Sequence, residues 1–498
     1  MAILFLDGFD KYGLSNNNAA AVQALLQAEW NTATSGFTIV AGLSATGFAV
    51  SMPVAPGTLS KTLAGNYNRL IGGARISIAS LTQVCGIQFA DVATNQCGIR
   101  INLTTGTFSV VNGAYNSGAV LGTSTANILA GSVHYLEWDI TFSNTGSYQL
   151  WLDGVSILSG SGDTTTSANN YANVFQFVTA NVAVVPTIDD FYLFDATGTT
   201  NNAVLLTSPR VETAFPVSDN TVQFSVGAAT LGNGILRVSS GGTYGANRMV
   251  VKAYTPTVNC TLNAITMFPQ ATSATNNLRP VLYADSSGLP GSLIDTGSTV
   301  TGMTIGVPLT LPLTIPQSLT AGTQYWLGFM FETGGIAWYG QSVGGNTRIA
   351  NATFSSGAPS TFPAPATEIT NPTHVIGHIT LASPVNVYSL TNPPQGNFSY
   401  VFEGTVGEED LYNFPPVGAP VVHAVAVKAS LAKSDSGAKT ASLRLKSGST
   451  NSAGSVASVT PGTTYGWGAS YFSTDPNTSA AWTPTGLNAA QAGVRVAS

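Results

Sequence analysis

Glu137 and Asp139 are the pair of side chains in this sequence best spaced for acid and base work on a sugar. They stand two apart in the run His134-Tyr135-Leu136-Glu137-Trp138-Asp139-Ile140. On a strand that puts both carboxyls on one face, about 7 Å apart, a spacing used by paired acids in glycoside hydrolysis. Trp138 and Ile140 alternate with them, so the outward, polar face is the simplest home for both acids. Asp189 and Asp190 are adjacent, point to opposite faces of a strand and form no pair. His374 and His378 have the i, i+4 spacing of two metal ligands on a helix. Pro372 and Val375-Ile376 favour a strand or loop instead, and along a strand four residues span about 13 Å, too far for one ion. There is no P-loop and no HExxH, so the expectation is a protein that is not an enzyme and uses no cofactor.

Calcium is a weaker alternative. Asp7, Asp10, Asp189 and Asp195 converge if the first strand pairs with the strand around residue 190, and carboxylates in loops are calcium's usual ligands. The competing reading is that these acids accept turn amides, as Asp commonly does. Aromatic side chains offer a different chemistry, stacking on the apolar faces of sugars. Trp326, Trp338 and Tyr339 are the candidates in the middle of the chain, and Tyr465, Trp467 and Tyr471 near its end. Trp338-Tyr339, between Gly334-Gly335 and Gly340, looks most loop-like and is the first choice for a contact surface. Against this stands the general tendency of large aromatics to be core residues.

Composition bounds the setting. The chain has 498 residues, too many for one core, so several domains are expected. Charged residues make up 8% of it and hydrophobic residues 44%, where an average globular protein has roughly 25% charged residues. Disordered chains are poor in apolar residues, so this one folds, with a surface of uncharged Ser, Thr, Asn and Gln suited to packing on other subunits. The net charge is −6 and the cations are scattered, which argues against a nucleic-acid surface. The opening MAILFLDGFD has no basic leader, and Asp7 interrupts its apolar run, so neither a secretory signal nor a spanning helix is expected. The three cysteines, Cys85, Cys97 and Cys260, form no disulfide framework. Cys85 and Cys97 bracket a hairpin, and the choice between a pair and buried thiols stays open.

The elements that must position these residues are nearly all strands. Residues 3–9 read as a strand, and one Ala-rich helix spans Asn18 to Trp30. Short alternating runs follow, among them Arg75-Ile76-Ser77-Ile78, Gly86-Ile87-Gln88-Phe89 and Arg100-Ile101-Asn102-Leu103. The runs around Leu136-Glu137-Trp138 and Tyr148-Gln149-Leu150-Trp151-Leu152 form an antiparallel pair, the second closed by the turn Asp153-Gly154. Ile188 to Asp195 is the expected partner of the first strand.

Those pieces together resemble a known family. The start Phe5-Leu6-Asp7-Gly8-Phe9-Asp10-Lys11-Tyr12, the two tryptophan strands with Asp153-Gly154, and Ile188-Asp189-Asp190-Phe191-Tyr192 are similar to a concanavalin-like (LamG-like) jelly roll. In structural proteins of tailed phages that jelly roll leads into a stretch like Asn201-Asn202 through Arg210-Val211-Glu212-Thr213. The end of the chain, from Thr405-Val406-Gly407 through Leu443-Arg444-Leu445 to Val494, resembles a second module of the same proteins. In those relatives this module follows almost directly. The resemblance thus implies an all-β fold of several β-sandwiches: a jelly roll over 1–210, a linker with the first strands of the C-terminal sandwich over 211–249, an inserted carbohydrate-binding-like sandwich over 250–384 and the C-terminal sandwich over 385–498.

The function so implied is a structural component of a tailed phage particle, either tail-associated or capsid-decorating. Its partners would be other virion proteins, further copies of itself in a homo-oligomer and a host-surface glycan, with no nucleic acid and no membrane. It would be assembled in the host cytoplasm and end in the virion. The alternatives are a carbohydrate-binding receptor module and a glycan-degrading enzyme.

Overall fold

The computed structural model describes the whole chain except residues 1–2, 13–18, 45–46, 54–55, 80–84, 103, 181–185, 198–200, 233–242, 272–275, 335, 340–345, 365, 369–373, 382–385, 387–399, 435–438 and 459–461. Gly335, Gly340 and Pro372, cited above to place Trp338 and the histidines, lie outside the described residues, as do Asn18 and Leu103. The fold is all-β, with β-sandwich jelly-roll character. Two compact units divide the chain: among the described residues, 3–12, 19–220 and 411–498 belong to one, and 221–410 to the other.

In the first unit the alternating runs assemble into two facing sheets. The first sheet has the order Val155–Gly162, Gly146–Leu152, Val133–Thr141, Arg69–Ile78, Pro186–Asp195, Phe48–Ser51, Thr38–Ala41, and Ile3–Asp7 also pairs with Pro186–Asp195. The second has the order Ala119–Asn127, Thr107–Asn112, Thr94–Ile101, Cys85–Asp91, Ala172–Thr179, Gly57–Tyr67, Thr32–Ala33. Inward residues at period two make one core, including Leu136, Trp138 and Ile140 from the first sheet and Ile87, Phe89, Cys97 and Phe175 from the second. Trp138 stacks on Phe175 at 5.7 Å between ring centres. The helix Ala19–Gln27 closes one end, sending Val22 and Leu26 into that core with Trp30 just beyond it.

Residues 411–498 add a five-stranded sheet, running Ser218–Thr221, Glu409–Asn413, Gln491–Val496, Thr440–Ser447, Thr450–Ser458, and the pair Val425–Lys433 with Gly462–Phe472. Leu443, Leu445, Phe472 and Trp482 centre its core. This module covers the outer face of the first jelly-roll sheet. There Ile3, Leu6, Ile71, Tyr135, Tyr192 and Phe194 bury themselves against Val204, Leu205, Val211, Ala424, Ala426 and Tyr471.

The second unit has a five-stranded sheet containing Cys260–Met267, Val375–Leu381, Ser225–Leu231 and Tyr400–Phe402, and a seven-stranded sheet containing Asn277–Ser286, Tyr325–Phe331 and Arg248–Tyr254. Ser225–Leu231, from the stretch assigned to a linker, pairs with Val375–Leu381 and Tyr400–Phe402, so the chain changes units at 220/221 and 410/411.

Candidate functional site

The acids of the DGFD and IDDFY segments are saturated by the protein's own donors. Asp7 lies wholly inside. Its Oδ1 accepts Phe9 N at 3.0 Å and Lys11 Nζ at 2.6 Å, and its Oδ2 accepts Tyr12 OH at 2.9 Å and Trp30 Nε1 at 2.8 Å. Burial opposes its charge, but Lys11 and Lys428 outweigh that and hold the Asp7 carboxyl below its usual value. Asp10 accepts Phe48 N at 2.7 Å and Thr213 N at 3.2 Å. Asp189 accepts Leu43 N and Asp190 N, both at 2.8 Å. Asp190 sits at a β-bulge with φ +49° and accepts Arg75 Nε and Val211 N, both at 2.9 Å. Asp195 accepts Thr197 N at 2.9 Å.

These bonds have a common purpose. Asp10 and Asp190, with Arg75 on Ser208 O, tie residues 208–213 down onto the jelly roll. Gly8 is required for the same reason, since a Cβ there would lie 1.7 Å from Val211 O. Backbone amides reach all four aspartates: those on Asp7 and Asp195 come from the adjacent turn, while Asp10 and Asp189 take amides from distant segments. No group of three or more His, Cys, Asp or Glu suited to a metal occurs among the described residues.

Around Asp7 the charges form a buried cluster that local sequence did not disclose. Lys11 Nζ also reaches Glu29 Oε2 at 2.5 Å, and the Tyr12 hydroxyl lies 3.2 Å from the same oxygen, its one proton shared between it and the nearer Asp7 Oδ2. Glu29 Oε1 takes Lys428 Nζ from the C-terminal module, and Lys428 also donates to Leu6 O. Lys61 Nζ donates to Glu29 O at 2.5 Å and lies 4.4 Å from the Phe5 ring centre. Burial lowers the Lys61 ammonium to about 8, against the pull of Glu29. In a chain so poor in charge, Glu29 beside Trp30 and Lys428 inside an apolar strand were the only signals available.

Glu137 and Asp139 do face away from the jelly-roll core, but neither serves as a free acid. Glu137 is buried beneath residues 204–206, where its Oε1 accepts Tyr192 OH at 2.6 Å, Leu205 N at 2.9 Å and Leu206 N at 3.1 Å. Its Oε2 has no hydrogen-bond partner among the described residues. Asp139 is held by Arg69 through both oxygens, at 2.8 and 2.5 Å. The expected solvent-facing home of Glu137 is thus corrected, because the connector covers it.

The proposed aromatic contacts are also relocated. Trp338 lies on the short strand Ile336–Trp338 and is fully buried against Tyr244, Phe329 and Phe331. Trp326 is fully buried too, and its Nε1 donates to Asp285 Oδ1 at 2.8 Å. Neither offers a face to a sugar, since both indole rings are fully buried. Tyr339 is half-buried, with its backbone N–H on Phe268 O. Tyr465, Trp467 and Tyr471 are half-buried in the first unit, Tyr471 against the covered face. His378 sits on a strand with Nε2 2.7 Å from Thr266 Oγ1, and burial lowers its pKa. His374 stacks on Phe268. Cys85 stands opposite Ile101 and Cys97 opposite Phe89, so they do not pair, and burial pushes both thiols up to about 12.

At one end of the second jelly-roll sheet a shallow depression of about 260 Å³ is lined by Thr62 to Asn66, Val92, Asn173 and Val174, smaller than most ligand pockets. Asn173 Nδ2 donates to Asn66 Oδ1 at 3.0 Å and Asp91 Oδ1 at 3.3 Å, and Asn169 Nδ2 donates to Asp91 Oδ2 at 2.6 Å. Val92 is 74% exposed beside them and adopts φ +54°, with its N–H on Asn173 Oδ1 at 2.7 Å. A β-branched residue in that region is an outlier, and such strain collects at ligand sites.

No protein-family model matches the chain, and no curated protein matches it. Solved structures that resemble it include a carbohydrate-binding module from Bacillus subtilis (9% identity, 34% of this chain and 96% of that one, TM-score 0.25). Others are an alginate lyase in complex with an alginate tetrasaccharide (11%, 39% and 95%, 0.26) and a carbohydrate esterase from the Shiga toxin-encoding bacteriophage phi24B (16%, 33% and 89%, 0.25). At such identities the likeness is one of fold. The expectation that the chain is not an enzyme is nonetheless corrected by these neighbours, which include a lyase and an esterase beside a binding module. Missing short motifs do not exclude catalysis on a scaffold that serves both uses.

Proposed function

We propose that this chain is a carbohydrate-binding protein whose recognition surface is the Asn66–Asp91–Asn173 depression of the jelly roll. The observation that carries this reading is the combination found there: amide and carboxylate groups in one chain of hydrogen bonds beside an exposed valine held in a strained conformation. Planar amide and carboxylate groups suit neighbouring sugar hydroxyls, and the valine offers an apolar surface to a ring face. A few fixed polar groups in a shallow apolar depression is the usual composition of a small-ligand site. The test is glycan-array screening of the full chain, followed by titration of the best ligand against Asn66→Ala and Asn173→Ala. Loss of binding with an unchanged unfolding temperature is expected, and unchanged affinity in both variants would overturn the assignment.

A second reading is that the chain is a structural component of a tailed phage particle, packed on other virion proteins and on copies of itself. It is supported by the way the DGFD and IDDFY acids and Lys428 bind the connector and the C-terminal module to the jelly roll, as a component under mechanical load requires. Residues 1–220 hold 13 acidic and 6 basic residues, and residues 411–498 hold 2 and 6, a complementarity that favours this union. Absence of the chain from purified virions by mass spectrometry would rule this reading out.

A further inference from the structure

We propose that Lys428 and Glu29 react to form an intramolecular amide, which covalently joins the C-terminal module to the jelly roll. The two side chains touch, although 399 residues separate them in sequence. Water is excluded: Glu29 and Lys11 have side chains at most 4% exposed, that of Asp7 is wholly buried, and Phe5, Tyr12 and Trp30 wall the cluster. In bulk water a charged amine and a charged carboxylate have little tendency to condense, because each is well solvated as an ion. Here Glu29 has lost nearly all of that solvation and Lys428, whose side chain is 14% exposed, most of it, a standing cost that a neutral amide removes. Fixed contact supplies the rest, since well-oriented intramolecular groups reach effective concentrations of about 10⁵–10⁸ M.

The cluster also holds the parts that the reaction needs. One proton passes from the Lys428 ammonium to Glu29 Oε1, leaving a neutral amine beside a neutral acid. The amine nitrogen attacks Glu29 Cδ, and negative charge gathers on Oε2. That oxygen already faces the cationic donor Lys11 Nζ at 2.5 Å, which stabilises a tetrahedral oxyanion, and Tyr12 OH, 3.2 Å away, can turn its one proton from Asp7 to it as the charge grows. A second proton leaves the nitrogen for Oε1, the Cδ–Oε1 bond breaks, and one water departs as the carbonyl re-forms at Oε2. No oxidant or other reagent enters. Asp7 remains as the counter-charge to Lys11.

Intact mass measurement of the purified, denatured full-length chain tests this directly. The expected result is a mass lower by one water, with a branched tryptic peptide joining Lys428 to Glu29. Lys428→Arg keeps the positive charge and should restore the full mass. Glu29→Gln is expected to lose one ammonia where the parent loses one water. A parent chain of full mass, or a water loss mapped to any other pair of residues, overturns the proposal.

Discussion

The jelly roll has two outer faces, and they use polar side chains in opposite ways. On the first sheet the acids are buried under residues 204–213 and the C-terminal module, and their donors are backbone amides, lysines and tyrosines of the same chain. On the second sheet Asn66 and Asn173 line an open depression, and Asp91 and Asn169 are hydrogen-bonded behind them. Carboxylates of the first kind take their hydrogen bonds from the protein itself, with Glu137 Oε2 left unpartnered among the described residues. On the second sheet it is the Asn66 and Asn173 amides that lie where a ligand can reach them, with the Asp91 carboxylate buried behind. Carboxylate type alone does not separate the two uses; the covering segment does.

The largest test of this contrast is removal of the Glu29 carboxylate. Glu29→Ala removes the group that Lys11 and Lys428 share, as counter-charge in the unreacted chain and as the amide to Lys428 in the joined one, and breaking a buried pair from one side already costs about 3–5 kcal/mol. Urea unfolding should register that loss, and limited proteolysis should open residues 411–498 first. A loss below about 1 kcal/mol would place the cluster among surface-like ion pairs and erase the distinction between the faces.

Glu137→Ala comes next. It strands the Tyr192 hydroxyl and the Leu205 and Leu206 amides beneath the connector, and hydrogen bonds to a charged group are worth about 1.5–3 kcal/mol. A stability loss of that size, with earlier cleavage around residues 204–206, is the expected outcome in urea and protease experiments. Full stability would mean that the connector is held by its apolar contacts alone.

How much of this was legible beforehand differs from residue to residue. Period-two runs disclosed the strands, and the pairing of Leu136 with Leu152 and of Ile3 with Phe194 followed from hairpin spacing and from the order of the motifs. The opening IDDFY and DGFD acids were visible, with accepting turn amides as one of two readings. Glu29 and Lys428 were not, because nothing local links residues 399 positions apart. Trp338 misled because flanking glycines look the same around a loop and around a short buried strand. The burial of Glu137 depends on residues 204–206, an irregular stretch with no periodic signal. Asn66, Asp91 and Asn173 come together only through the register of three neighbouring strands.

The covered face also carries a pH signature. Burial, and after it the charge of Asp190, pushes the Asp189 carboxyl up to about 7. Between its ordinary value and 7 the native state therefore keeps a proton that the unfolded chain releases, so stability falls as pH rises through that window. The slope from this one group is at most about 1.4 kcal/mol per pH unit. Unfolding midpoints followed from pH 4 to pH 8 should decline, and Asp189→Asn should flatten the decline whatever it does to absolute stability. An unchanged slope would assign the effect to other groups.

The smallest effect belongs to the open face. Val92 is the first of two turn residues between Asp91 and Thr94, a place where hairpins ordinarily put Gly, Asn or Asp when φ is positive. A left-handed conformation costs an L-residue about 1–2 kcal/mol, so Val92→Gly should raise stability slightly, by up to about 1 kcal/mol after the added freedom of the unfolded chain is counted. If the strain is kept for binding, the same change removes the exposed apolar surface beside Asn173, and glycan affinity should fall while the unfolding temperature rises. Movement of the two readouts in opposite directions is the mark of a residue retained for function at a cost in stability. Movement in the same direction would make Val92 a structural residue and return this face to the category of the covered one.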